Sequence, residues 1–200
     1  MIDLFQKQAN DWDEQTIPQQ LSQTIGPMML KHLTLDSSMD IMDFGAGTGL
    51  LSFHFAPLVK SIAAVDISES MLKELTAKKA LQGKVVAYCQ DILKKPLSKT
   101  FDLIISAMAM HHVEDSTLML QSFNKHLKTG GHIALADLDL EDGSFHPSDA
   151  KGIFHHGFDR EAFAQQLKDA GFINLEFFTP HIIQKEGKEF KLFIVIGTKA

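Results

Sequence analysis

The sequence predicts an α/β fold, a mostly parallel, doubly wound sheet with helices on both faces. Three observations carry that expectation. Short apolar runs of strand length alternate with amphipathic stretches of helical period, the pattern of parallel strands joined by crossover helices. The runs are rich in Ile, Val, Leu and Ala, as strands covered on both faces are. A glycine-rich segment, Gly45 to Gly49, links the first run to the first helical stretch, where such sheets offer bare backbone to a ligand.

The elements follow in order along one domain, residues 1–200. Residues 1–35 read as helical, with breaks at Pro18 and Gly26–Pro27, and are expected over the sheet edge or the mouth of a crevice. Asp40–Phe44 is the first strand, and Leu50, Leu51, Phe53, Phe55 and Leu58 pattern a helix that stops around Pro57. After the strand Ser61–Asp66, Ser68 can cap a helix that buries Met71, Leu72 and Leu75 and ends by Gly83. Lys84–Cys89 is the third strand, and Cys89 reads as core.

Only Gln90–Thr100, with Pro96 inside, separates this run from Phe101–Ser106. No full crossover helix fits there. Eleven extended residues reach ~36 Å, whereas three inter-strand gaps span ~14 Å. The chain can therefore pass from one side of the first strand to the other, which is where a doubly wound sheet opens its crevice. Asp115 or Ser116 can cap the next helix, whose Met119, Leu120, Phe123 and Leu127 form one stripe, with Lys125 and Lys128 at its negative end before Gly130–Gly131. His132–Asp137 is the fifth strand. Asp159 opens a helix with Phe163, Leu167 and Ala170 inward, closed by Gly171. Phe172–Gln184 and Phe190–Gly197, joined by the polar turn 185–188, read as a hairpin, so the last strand runs antiparallel.

Composition limits the partners. Nineteen basic against 25 acidic residues give a net charge of −6, and Arg160 is the sole arginine. Lys78–Lys79 and Lys94–Lys95 are short pairs, read as solvated faces, so no nucleic acid is expected. The eight-residue run Leu103–Met110 is the longest nearly unbroken apolar one. A membrane span needs ~20, so no membrane association is expected. One cysteine, and acids and amides at the N-terminus in place of a secretion signal, point to the cytoplasm. A small-molecule partner is expected, and oligomeric state is left open.

The glycine loop and its acids carry the chemistry. Gly45, Gly47 and Gly49 let the main chain turn tightly and approach a ligand with no Cβ between. A dinucleotide fingerprint would set its third glycine five residues after the first. Position 50 is Leu, so the third glycine comes one residue early. Asp66 ends the second strand, where a carboxylate can accept both hydroxyls of a ribose. Asp91 lies just past the third, where one can accept an adenine amino group. With Asp43, all three sit at carboxyl ends of strands expected to be neighbours, rimming one crevice.

The succession DFGAGTG, AAVDIS, QDIL, FDLIISAMAMHHV and LKTGGHIALAD resembles the class I S-adenosylmethionine-dependent methyltransferases over about residues 39–198. The resemblance implies a seven-stranded sheet in the order 3-2-1-4-5-7-6, strand 7 antiparallel, and S-adenosylmethionine as cofactor. It implies that Asp43, Gly45, Gly47, Thr48 and Gly49 hold the cofactor's amino-acid end. Asp66 would take the ribose with Ile67 beside the adenine, Asp91 and Ile92 the adenine, and Ala107 would lie beneath the sulfonium. Met71 reads equally as an adenine contact or as core. Arsenic-methylating relatives need several cysteines, and this chain has one.

In that chemistry the methyl is already activated, so aligning an acceptor and excluding water do most of the work, worth ~7–11 kcal/mol. An amine or hydroxyl acceptor can add the need for a base. His112 and His156 are the sequence's candidates, among His111, His112, His146, His155 and His156. Adjacent histidine pairs lack the i, i+4 spacing of common metal sites, so no metal is expected. Residues 138–158, rich in Gly, Phe and His, read as a lid-like insertion, with Phe145, Phe154 and Phe158 as its roof or its anchors. Trp12 reads as a cover of the cofactor mouth or as an edge plug. Two other functions share these features: a nicotinamide-dependent oxidoreductase, disfavoured by the glycine offset and the terminal hairpin, and a non-enzymatic module that binds S-adenosylmethionine.

Overall fold

A computed structural model describes residues 3–200. Strands β1 (Asp40–Phe44), β2 (Ser61–Asp66), β3 (Val85–Cys89), β4 (Phe101–Ala107) and β5 (Leu127–Leu138) are parallel, and β8 (Lys188–Lys199) runs antiparallel between β5 and β6 (Phe172–Phe178). The order is β3-β2-β1-β4-β5-β8-β6, that of the resemblance, with one strand more. The expected arm 172–184 is broken at Thr179–Pro180–His181, and its end forms β7 (Ile182–Lys185), which pairs with the start of β8. Pro180 offers no ladder N–H. Arg160 donates to Thr179 Oγ1 at 2.8 Å and grips Asp139 through Nε and Nη2 at 2.6 and 2.8 Å, tying the break to the end of β5.

Strand residues alternate between two cores, as a period of two demands. Ile41, Ile62, Ala64, Leu103 and Ile105 pack with α1 (Thr16–His32), α2 (Leu50–Phe55) and α3 (Glu69–Ala77). Met42, Ala63, Val65, Ile104 and Ile133 pack with α4 (Ser116–His126) and α5 (Arg160–Asp169). Ser68, Asp115 and Asp159 cap their helices, each accepting a backbone N–H three residues on.

The N-terminal reading needs two corrections. Helix α1 runs unbroken through both expected breaks. Pro18 sits in its first turn, where N–H groups have no helical partner. At Gly26 a Cβ would lie 2.4 Å from His54 Cδ2, so that glycine lets α1 approach α2 rather than ending the helix. Buried Leu21, Ile25 and Met29 hold α1 in place past Pro27. Cys89, expected in the core, is exposed, because β3 is the sheet edge and lacks a covering neighbour. Among the described residues no helix is long and apolar enough to cross a membrane.

Candidate functional site

The parallel register sets Phe44 beside Val65 and Asp66 beside Cys89, so the loops after β1, β2 and β3 leave the same edge of the sheet. Gly45 and Ala46 donate to Val65 O at 2.9 and 3.1 Å, which folds the glycine loop onto β2. Gly45, Gly47 and Gly49 have φ of 67°, 53° and 83°, but they differ in surroundings. A Cβ on Gly45 would lie 2.2 Å from Ala109 Cβ, and one on Gly49 within 3 Å of Leu75 and Leu81. One on Gly47 would meet nothing. Gly47 alone faces open space, and the other two let the loop pack.

Asp66 clasps this loop. Its Oδ2 accepts from Gly47 N and its Oδ1 from Ser68 N, both at 2.8 Å. Burial pushes its carboxyl up. Asp43 is 1 % exposed and accepts from Ser52 Oγ at 2.6 Å. Burial, with the charge of Asp66 nearby, pushes it up to about 7. A carboxyl that holds its proton more tightly folded than unfolded stabilises most at low pH. That contribution fades as pH rises from the ordinary value of 3.8 through about 7. Urea unfolding of Asp43→Asn at about pH 5 and about pH 8 should therefore show a smaller loss across this window than the parent. An equal loss would remove Asp43 as its source.

Thr48 is buried, its hydroxyl donating to Asp13, which also pairs with Lys78. Ile67 and Asp91 line a cavity of about 850 Å³, with Asp3, Gln6 and Asn10 opposite, a size that holds organic ligands (~300–1,000 Å³). Asp3 also accepts from Ser70 N and Oγ at 3.1 and 2.6 Å. Asp91 accepts from Leu93 N at 3.0 Å and pairs with Lys94 at 3.0 Å. Ile67 is half-exposed, whereas Met71 and Ile92 are buried, Ile92 against Met42 and Val65. Ala107 ends β4 opposite Ala136 of β5. Sequence reasoning missed Asp3, Asp13, Gln6 and Asn10, since nothing local to residues 3–14 shows that this segment returns to the glycine loop.

A family model described as a methyltransferase domain matches residues 15–176. The chain belongs to the class I S-adenosylmethionine-dependent methyltransferases. An uncharacterised methyltransferase of Schizosaccharomyces pombe is 32 % identical over 157 residues, 70 % of this chain and 55 % of that protein. The ubiquinone biosynthesis O-methyltransferase of Xanthomonas axonopodis pv. citri is 26 % identical over 72 % of this chain and 63 % of its own length. The chain thus spans rather more than half of these relatives. Haemonchus contortus phosphoethanolamine N-methyltransferase 2, solved with S-adenosyl-L-methionine, shares the fold, with a TM-score of 0.72, 14 % identity, and 87 % and 52 % of the two chains covered.

Beyond β4 the methyltransferase gathers histidines, though not the expected pair. His156 turns outward, its side chain 59 % exposed and its Nδ1 3.6 Å from Glu141 Oε1. His112 donates from Nδ1 to Gly152 O at 2.8 Å, and burial, with His111 adjacent, lowers its pKa to about 4. Its ring lies 4.2 Å from that of His111 and 6.1 Å from that of His146. His146 is lowered to about 4 for the same reasons. Phe154 N and His155 N donate to His111 O, and His155 Nε2 to Val113 O, which docks residues 152–155 on the turn after β4. Phe145 and Phe158 are buried, while Phe154 is exposed. Trp12 meets Phe5 edge-on at 6.0 Å, and Phe5 in turn meets His112 at 5.4 Å. Among the described residues no three His, Cys, Asp or Glu side chains are grouped to hold a metal.

Proposed function

We propose that this methyltransferase moves a methyl group from S-adenosylmethionine to a small organic acceptor. The observation that carries the reading is the glycine loop clasped by Asp66, with Gly47 facing open space, and a cavity lined by Asp91 and by Ile67, the residue after Asp66. The residues fit such a ligand: bare main chain for the amino-acid end, a carboxylate at the end of β2 for ribose hydroxyls, and an apolar side chain with an acceptor for adenine. When bound, the cofactor would supply a methyl group already activated on cationic sulfur, to be taken by an acceptor that these residues align.

Asp66 has a lone pair free on each oxygen after its two backbone bonds, enough to receive two hydroxyls. Asp43 backs the loop through Ser52, and Thr48 fixes the helix start to Asp13. Residues 3–14 reach across the mouth, from Ser70 of α3 to His112, and residues 138–158 cover the acceptor side. That relatives are named as a ubiquinone biosynthesis O-methyltransferase and a phosphoethanolamine N-methyltransferase supports a small acceptor.

Calorimetry should show S-adenosylmethionine and S-adenosylhomocysteine binding, and Asp66→Ala should weaken both by tenfold or more, ~1.4 kcal/mol. Undiminished binding by that variant would remove the ribose assignment. A chain that binds NAD and neither of these ligands would overturn the reading itself.

A further inference from the structure

Two buried histidine nitrogens beside this site have no partner among the described residues. His111 is 1 % exposed, yet its Nε2 makes no hydrogen bond. Its other nitrogen is firmly held: Nδ1 lies 2.7 Å from Asp137 Oδ1. Asp137, fully buried at the end of β5, also accepts from the backbone N–H of Met110, His111 and Leu138, at 3.0, 3.2 and 2.8 Å. With every neighbour donating to it, Asp137 is the acceptor in the His111 bond too. In the neutral imidazole Nδ1 therefore carries the hydrogen, and Nε2 is the nitrogen with the bare lone pair.

A histidine kept only for packing would have both nitrogens satisfied, because an unmet buried acceptor is costly. Here the unmet nitrogen lies four residues past Ala107, and Ala109 between them touches the glycine loop at Gly45. Against it stands His146, ring to ring at 4.9 Å, whose own Nε2 is also buried and unpaired. His146 is carried by the 138–158 segment, not by the sheet.

Resting on the methyl-transfer reading, we propose that His111 Nε2 receives the proton of an N–H or O–H acceptor, that Asp137 positions it, and that His146 covers it until the acceptor enters. As the acceptor's lone pair takes the methyl, its proton passes to Nε2. The positive charge lost at sulfur reappears on an imidazolium that faces Asp137, and the proton then leaves to water. Burial holds His112 and His146 neutral near neutral pH, so neither opposes that charge beforehand.

Long-range proton–nitrogen NMR of the histidine-labelled wild-type chain reads the tautomer without any variant. The expected result is His111 protonated at Nδ1 and bare at Nε2; the opposite tautomer overturns the proposal. Diethyl pyrocarbonate acylates a bare, reachable imidazole nitrogen. With S-adenosylhomocysteine present it should label His111 about tenfold faster in His146→Ala than in the wild type, and equal rates would overturn the cover. Asp137→Asn keeps one acceptor oxygen, enough for the Met110 and His111 amides or for that of Leu138 but not for both sides, and should scramble the tautomer; an unchanged tautomer removes Asp137 from the role. S-adenosylhomocysteine binding with the wrong tautomer sinks this proposal alone. The right tautomer and labelling without such binding would sink the methyl-transfer reading and, with it, the proton-accepting role.

Discussion

A chain carrying Gly45→Val is expected to lose about 2–6 kcal/mol of stability and to bind S-adenosylhomocysteine at least a hundredfold more weakly, ~2.7 kcal/mol. Two costs meet at this residue. Its φ of 67° lies in the left-handed region, where a β-branched side chain costs ~1–3 kcal/mol. A Cβ there would lie 2.2 Å from Ala109 Cβ, and forcing such a contact apart costs another ~1–3 kcal/mol. Relief comes only by moving the loop off the turn after β4, which withdraws the backbone from the proposed cofactor groove. Gly45→Ala combined with Ala109→Gly removes the collision and keeps the backbone cost, so it should recover about half the lost stability. Urea unfolding and calorimetry measure both effects. Parent-like binding by Gly45→Val would mean that this loop does not hold the cofactor.

Phe193→Ala should cost ~3–5 kcal/mol, a large share of the ~5–15 kcal/mol that holds a domain folded. Phe193 is fully buried on β8, with the rings of Phe158, Phe163 and Phe177 at 6.3, 5.6 and 5.7 Å. These rings meet it from the end of the 138–158 segment, from α5 and from β6, and cannot all collapse into the space it leaves. The denaturant midpoint should fall with little change in slope. Cofactor affinity should survive better than turnover, because the glycine loop packs through the opposite core while Phe158 anchors the segment proposed to cover the acceptor. A loss below about 1 kcal/mol would show that the site repacks.

Much of the sheet was legible because burial on both faces leaves a strong local mark. β1 and β2 have the expected bounds, and β3 and β4 differ from expectation by one residue. The caps Ser68, Asp115 and Asp159 were legible for a similar reason: a side-chain acceptor satisfies a backbone donor three residues away. Helix α1 was misread because proline and glycine act as breakers only where nothing else fixes the chain. At Gly26 the deciding neighbour, His54, lies 28 residues on in sequence. The histidines divide the same way. His112 was found beside the crevice, but His156 was preferred over His146, and Asp137 was read only as the end of a strand.

What this sequence determined by itself is the alternation of strands and helices and the presence of three glycines and three acids at strand ends, because period and spacing are properties of neighbouring residues. Tertiary structure alone decided that only Gly47 of the three opens onto space, that residues 3–14 return to Thr48 and Ser70, and that Asp137 meets His111 Nδ1. Each of those depends on which atoms a fold brings within about 3 Å, and hydrogen bonding and contact fall off over that distance regardless of separation along the chain.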